Sequence, residues 1–209
     1  MTSSAPLKSA PPDRARALLW LTGSRIVAGP AIAALILWTQ AAGGARDAAF
    51  TAGFMGLAAA LFLAAAATDW LDGALARRWG AVTPLGAALD HAADKALVAP
   101  VLVALAFGAL PIDLTFAACL LVARDVAVAG LREGLSQAGR ALPVSRVGKA
   151  KAAAEMAGVA LVLALPALGL AAPQALGFFE AFARLALWGA AGLAVWSGAL
   201  YLRASFTSL

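Results

Sequence analysis

The sequence predicts an all-α, polytopic membrane protein with six transmembrane helices, preceded by a short interfacial N-terminal helix. Three observations lead there. Of its 209 residues, 63% are hydrophobic and 13% charged, with a mean hydropathy of +0.86, more than a soluble core requires. Alanine- and leucine-rich runs recur at lengths of about 18 or more residues, and a bilayer span needs ~20. The intervening loops alternate in charge when assigned to opposite sides of a membrane. One side receives Lys8, Arg14, Arg16, Arg77, Arg78, Arg132, Arg140, Arg146, Lys149, Lys151 and Arg203, the other only Arg46 and Arg184. Basic loops mark the cytoplasmic side, so both termini are expected there.

Taken in order, residues 1–12, "MTSSAPLKSAPP", are small, polar and proline-containing, and are expected to form a mobile tail. Residues 13–209 are expected to form one membrane domain, since six spans with short loops leave no room for a soluble one. "DRARALLW" suits an interfacial helix. Spans are expected near 18–38, 50–69, 90–109, 113–131, 152–170 and 181–202. The first run is long for a cleaved leader and is interrupted by Arg25, so it is read as a span. Cys119, the single cysteine, falls in an apolar run, which excludes an internal disulfide and suggests a packed core thiol. The net charge of +5 suits anionic headgroups and phosphate ligands. No aromatic-interleaved basic stretch points to nucleic acid.

The chemistry concentrates in "TDWLDGALARRWGAVTPLGAALDHAADK", Thr68 to Lys95. Asp69 and Asp72 are three apart and Asp90 and Asp94 four apart, so each pair projects from one helix face. Gly80, Pro84 and Gly86 break the chain between them and allow the two faces to converge at the cytoplasmic helix ends. Four carboxylates so placed repel one another unless cations neutralise them. Hard oxygen ligands without clustered histidine or cysteine favour Mg²⁺ or Mn²⁺, and two such ions suit phosphoryl chemistry. Solvated or ion-paired helix ends, with Arg77, Arg78 and Lys95 as partners, are the plainer reading for any one aspartate.

Asp69, Asp72, Gly73, Ala76 and Arg77, then Gly86, Asp90 and Asp94 after eight residues, spell D-x-x-D-G-x-x-A-R and G-x-x-x-D-x-x-x-D. This pattern resembles the signature of the CDP-alcohol phosphatidyltransferase family without gap or substitution. The resemblance implies a two-metal site held by Asp69, Asp72, Asp90 and Asp94, with Asp94 also the catalytic base. It further implies a CDP-diacylglycerol donor contacted by Gly73, Ala76, Arg77, Thr83 and Gly86, CMP as leaving group, and a homodimer. The physical logic agrees, because arginine offers a forked donor set to phosphate and glycine removes the side chain that would block it.

The acceptor must be read elsewhere. After the fourth span, "ARDVAVAGLREGLSQAGRALPVSRVGKAKAAAEM" carries Arg124, Arg132, Arg146, Lys149 and Lys151, a cationic stretch that suits an acceptor bearing its own phosphate. Its "ARD", "LRE" and "GKAK" elements resemble the bacterial branch of the family that uses glycerol 3-phosphate. That resemblance covers roughly residues 18–160 and implies that Arg124, Arg132, Lys149 and Lys151 bind the glycerol phosphate, with Asp125 and Glu133 pairing with them. The membrane would then be a bacterial inner membrane.

Two departures stand out. The family's Pro-Asn-x-Leu-Thr start reads "ALLWLT" here, keeping Thr22 and Arg25, and Arg25 is expected to line a polar cavity with the aspartates. Where similar enzymes commonly carry proline, this chain has His91; one step from Asp90 turns it about 100° along a helix, which favours packing or support over ligation. Transfer to inositol phosphate or phosphatidylglycerol stands as the alternative within the family. A cation transporter is the alternative from another class, because it too can use intramembrane acids.

Overall fold

The computed structural model describes residues 12–43, 46–79, 84–137 and 146–206. They form six long helices: α1 (Pro12–Gly43), α2 (Ala48–Trp79), α3 (Pro84–Ala106), α4 (Ile112–Gln137), α5 (Arg146–Ala171) and α6 (Leu176–Phe206), with one 3₁₀ turn at Pro173–Ala175. The all-α fold class is the one the sequence predicts. Five segments are long and apolar enough to cross a membrane: Trp20–Ala42, Ala48–Thr68, Ile112–Gln137, Val147–Ala171 and Pro173–Arg203. Helix α3 differs because Asp90, Asp94 and Lys95 interrupt its N-terminal half. The helical turns expected ahead of the first span are continuous with it in α1. The chain is thus an integral membrane protein. The tail at 1–11 lies outside the described residues.

Internal contacts fix the helix directions. Arg25 reaches Asp90 and Asp94, while Gln40 donates to the Ala104 carbonyl at 3.2 Å, so α1 and α3 run parallel. Asp113 meets Arg184 and Arg132 meets Tyr201, so α4 and α6 also run parallel. Helices α5 and α6 are antiparallel, since Gly158 abuts Leu187 and Gly169 abuts Leu176. The N-terminal ends of α1, α3 and α5 therefore gather with the C-terminal ends of α4 and α6.

Close approach makes these pairings possible. A methyl group at Gly29 would collide with the backbone of Ala96 and Leu97, so only glycine lets α1 and α3 meet there. One turn before Gly29 on α1 stands Arg25, which this contact presses toward α3. The core is filled by Ile32, Ile36, Phe62, Leu97, Val101, Leu105, Leu121, Val159, Leu163 and Leu187. Val27, Val103, Phe107, Phe116, Phe178, Leu185 and Trp196 face outward. Apolar groups on both the inner and outer faces are what a bilayer requires of its helices. Pro30, Pro100 and Pro166 lie inside helices, where packing neighbours can compensate the lost hydrogen bond.

One expectation is corrected here. Cys119 is exposed rather than packed in the core. Hydropathy could not tell the two apart, because a lipid-facing position is as apolar as an interior one.

Candidate active site

A cavity of about 530 Å³ opens where α3, α4, α5 and α6 converge. Its walls include Asp90, His91, Asp94 and Lys95 from α3, Arg124, Asp125 and Arg132 from α4, Lys149, Lys151 and Glu155 from α5, and Tyr201 from α6. Six of the residues singled out from sequence thus meet in one place: Asp90, Asp94, Arg124, Arg132, Lys149 and Lys151. Gly86 sits in the first turn of α3, one turn before Asp90. Asp69, Asp72, Gly73, Ala76 and Arg77 belong to the last third of α2, but their side chains lie outside the described residues, as does Thr83 altogether.

The carboxylate wall is set by a buried arginine. Arg25 has no exposed surface; its Nη2 donates to Asp90 Oδ1 at 2.8 Å and its Nη1 to Asp94 Oδ1 at 3.0 Å. Such charge-assisted bonds hold both carboxylates in one orientation. Arg25 is not among the residues that line this cavity; the polar cavity expected around it also takes in Asp69 and Asp72, whose side chains lie outside the described residues. The side chains of Asp90 and Asp94 remain 47% and 36% exposed. These are hard oxygen donors open to the cavity, of the kind a divalent cation takes. No cluster of three or more such ligands occurs among the described residues, the other two aspartates of the pattern being outside them.

The opposite wall is a network centred on Asp125. This carboxylate pairs with Lys95, accepts from Arg124 Nη1 at 3.0 Å and from Lys151 Nζ at 2.8 Å. Lys151, itself buried, also donates to Glu155 Oε2 at 2.6 Å. Arg124 is further tied to α6 through Ser197 Oγ at 2.7 Å and the Ala194 carbonyl at 3.3 Å. Charges buried this deeply persist only when paired and hydrogen-bonded. Arg132 and Lys149 are less committed. Arg132 donates from Nη2 to Tyr201 Oη at 3.0 Å and leaves Nε without a partner among the described residues. Lys149 is exposed.

Some of this was readable and some was not. The pairing of Asp125 with neighbouring cations is seen, whereas Glu133 accepts instead from Gln137 at 3.0 Å on the exposed surface. Lys95 pairs with Asp125, and among the described residues Arg25 pairs with Asp90 and Asp94. Glu155 and Tyr201 went unnoticed. The i,i+4 spacing of Lys151 and Glu155 could have revealed the first. Tyr201 carries the only phenol in the chain, but nothing local says which helix it faces.

Comparison with known proteins gives this geometry a context. A family profile described as CDP-alcohol phosphatidyltransferase matches residues 19–196. A protein of Pseudomonas fluorescens named CDP-diacylglycerol–glycerol-3-phosphate 3-phosphatidyltransferase is 41% identical over 155 residues, 73% of this chain and 76% of its own length. Proteins of the same name are 40% identical in Pectobacterium atrosepticum, over 71% of this chain and 78% of the relative, and 37% identical in Yersinia pestis, over 72% and 79%. With the signature aspartates of α3 on one cavity wall and its cations on the other, the chain belongs to the CDP-alcohol phosphatidyltransferase family.

Proposed function

We propose that this protein transfers the phosphatidyl group of CDP-diacylglycerol to glycerol 3-phosphate, yielding phosphatidylglycerol phosphate and CMP. The observation that carries the reading is the union, in one cavity, of Asp90 and Asp94 with Arg124, Arg132, Lys149 and Lys151. The names of the relatives agree with it. A carboxylate wall facing a cationic wall suits a reaction in which a hydroxyl attacks phosphorus while a second phosphate is held in place.

In this reading the sn-1 hydroxyl of glycerol 3-phosphate attacks the lipid-linked phosphorus, Asp94 accepts its proton, and the bond to CMP breaks on the far side of the phosphorus. Arg25 keeps Asp94 aimed at the cavity. Arg132 and Lys149 meet the acceptor phosphate, and Arg124 and Lys151, already held by Asp125, shape the wall behind them. Gly73, Ala76, Arg77, Thr83 and Gly86 hold the cytidine diphosphate. Asp69, Asp72, Asp90 and Asp94 would hold two Mg²⁺ or Mn²⁺ ions. When bound, they supply positive charge at the diphosphate and favour the deprotonated hydroxyl.

The cavity end faces the cytoplasm, in a bacterial inner membrane, with both termini on that side; the distribution of lysine and arginine supports this orientation. The chain works as a homodimer, as the family resemblance suggests. The test is CMP release by purified protein in detergent from CDP-diacylglycerol with Mg²⁺ or Mn²⁺, comparing glycerol 3-phosphate with inositol phosphate, serine and phosphatidylglycerol. Release with glycerol 3-phosphate alone is expected. Release with a different acceptor alone would overturn the acceptor assignment, and metal flux into proteoliposomes without CMP formation would overturn the transferase reading.

A further inference from the structure

His91 directly follows Asp90 of the signature, and it is part of the cavity wall. Its Nε2 is buried and has no hydrogen-bond partner among the described residues. The ring shares that wall with Asp90 and Asp94 of its own helix, and Lys95, Arg124, Arg132 and Lys151 line the same cavity. Arg132, the facing cation, also keeps a buried Nε without a partner. Two unsatisfied polar atoms at one cavity have a cost that apolar packing residues would avoid. Their placement makes sense where a small polar ligand completes them.

We infer that His91 recognises the central hydroxyl of the acceptor, which makes it a specificity-determining residue of this chain. The inference rests on the function proposed above and adds to it. Glycerol 3-phosphate has three polar groups along three carbons. Its phosphate belongs with the cations and its attacking hydroxyl with Asp94, which leaves the C2 hydroxyl to be met midway. His91 follows Asp90 directly and precedes Asp94 by three positions, and its imidazole can either donate to or accept from a hydroxyl. Arg132 and His91 line the same cavity, so an acceptor whose phosphate is held by the arginine can turn its C2 hydroxyl toward the ring.

The experiment compares glycerol 3-phosphate with 3-hydroxypropyl phosphate, which lacks only the C2 hydroxyl, as acceptors for CMP release from CDP-diacylglycerol with Mg²⁺. The native protein should prefer glycerol 3-phosphate by about tenfold in kcat/KM, the value of one hydrogen bond. His91→Leu should reduce this preference to about one, through a raised KM for glycerol 3-phosphate. A merely structural role would lower turnover of both acceptors together and leave their ratio intact. That result, or a native ratio near one, would overturn the inference while leaving the proposed function standing. If His91→Leu turns over neither acceptor, His91→Gln and His91→Asn decide. The glutamine amide reaches as far as Nε2 and should keep part of the preference, and the shorter asparagine should lose it; native preference in both would overturn the inference. A native protein that releases no CMP with glycerol 3-phosphate would instead refute the function itself.

Discussion

At the cavity end of the bundle, Arg25 and Lys151 are buried and, among the described residues, each is held by two carboxylates. At the opposite end, Arg184 meets Asp113 on an exposed surface, and Arg46 rests 4.4 Å from the centre of the Phe50 ring. That ring belongs to a cluster with Trp38 and Phe54, whose centroids lie 4.6–5.6 Å apart. Both ends contain arginine and aspartate, yet only one is constrained by them. Burial makes the difference: a charge removed from water depends on its partner, whereas an exposed one is screened whether or not it is paired. The aromatic end resembles an interfacial anchor, which tolerates rearrangement. The cavity end is a fixed arrangement of opposed charges, suited to positioning reactants.

Substitutions can break this contrast in descending order of effect. Asp94→Asn should lower CMP release by about 10²–10⁴-fold, the usual contribution of a general base; native activity in that variant would remove Asp94 from the role. Lys151→Ala leaves Glu155, 4% exposed, without its lysine, and should cost about 3–5 kcal/mol. Thermal unfolding in detergent would register this as a large drop in midpoint, and an unchanged midpoint would show that the network is better hydrated than its burial indicates. Gly29→Ala forces α1 away from Ala96 and Leu97, with an expected loss of about 1–3 kcal/mol. Because Arg25 moves with it, CMP release should fall more than stability does. At the far end, Arg184→Ala should leave the unfolding midpoint within experimental scatter. A clear decrease there would mean that the two ends are less different than their exposure implies.

The helices were legible because apolar runs of membrane length are the strongest signal a sequence carries, and the shared face of Asp90 and Asp94 because their spacing defines it. Arg25 was expected near the aspartates and Asp125 near its cations, but the individual pairings were harder to see. Arg25 lies 65 positions from Asp90, and Asp125 lies 26 from Lys151, distances over which sequence periodicity says nothing about pairing. Gly29 illustrates the same limit: it looks like one small residue among many until α3 is placed against it. Cys119 failed for another reason, since outward and inward faces of a membrane helix share the same composition. His91 was visible as an unusual residue, but turning a helix by one position did not reveal that the cavity wraps far enough to include it.

The bridge from Arg25 to α3 also bears on how the chain is made. An arginine in a lone span is disfavoured by about 2.5–3.5 kcal/mol at the bilayer centre, and by less near an end such as this one. Its partner Asp90 is synthesised 65 residues later, a wait of roughly 3–13 seconds at ordinary translation rates. The third helix then brings the two carboxylates that accept from the Arg25 guanidinium. Biogenesis of this protein is therefore not a succession of independent insertions: the first span gains its contacts with Asp90 and Asp94 only when a segment two helices downstream arrives.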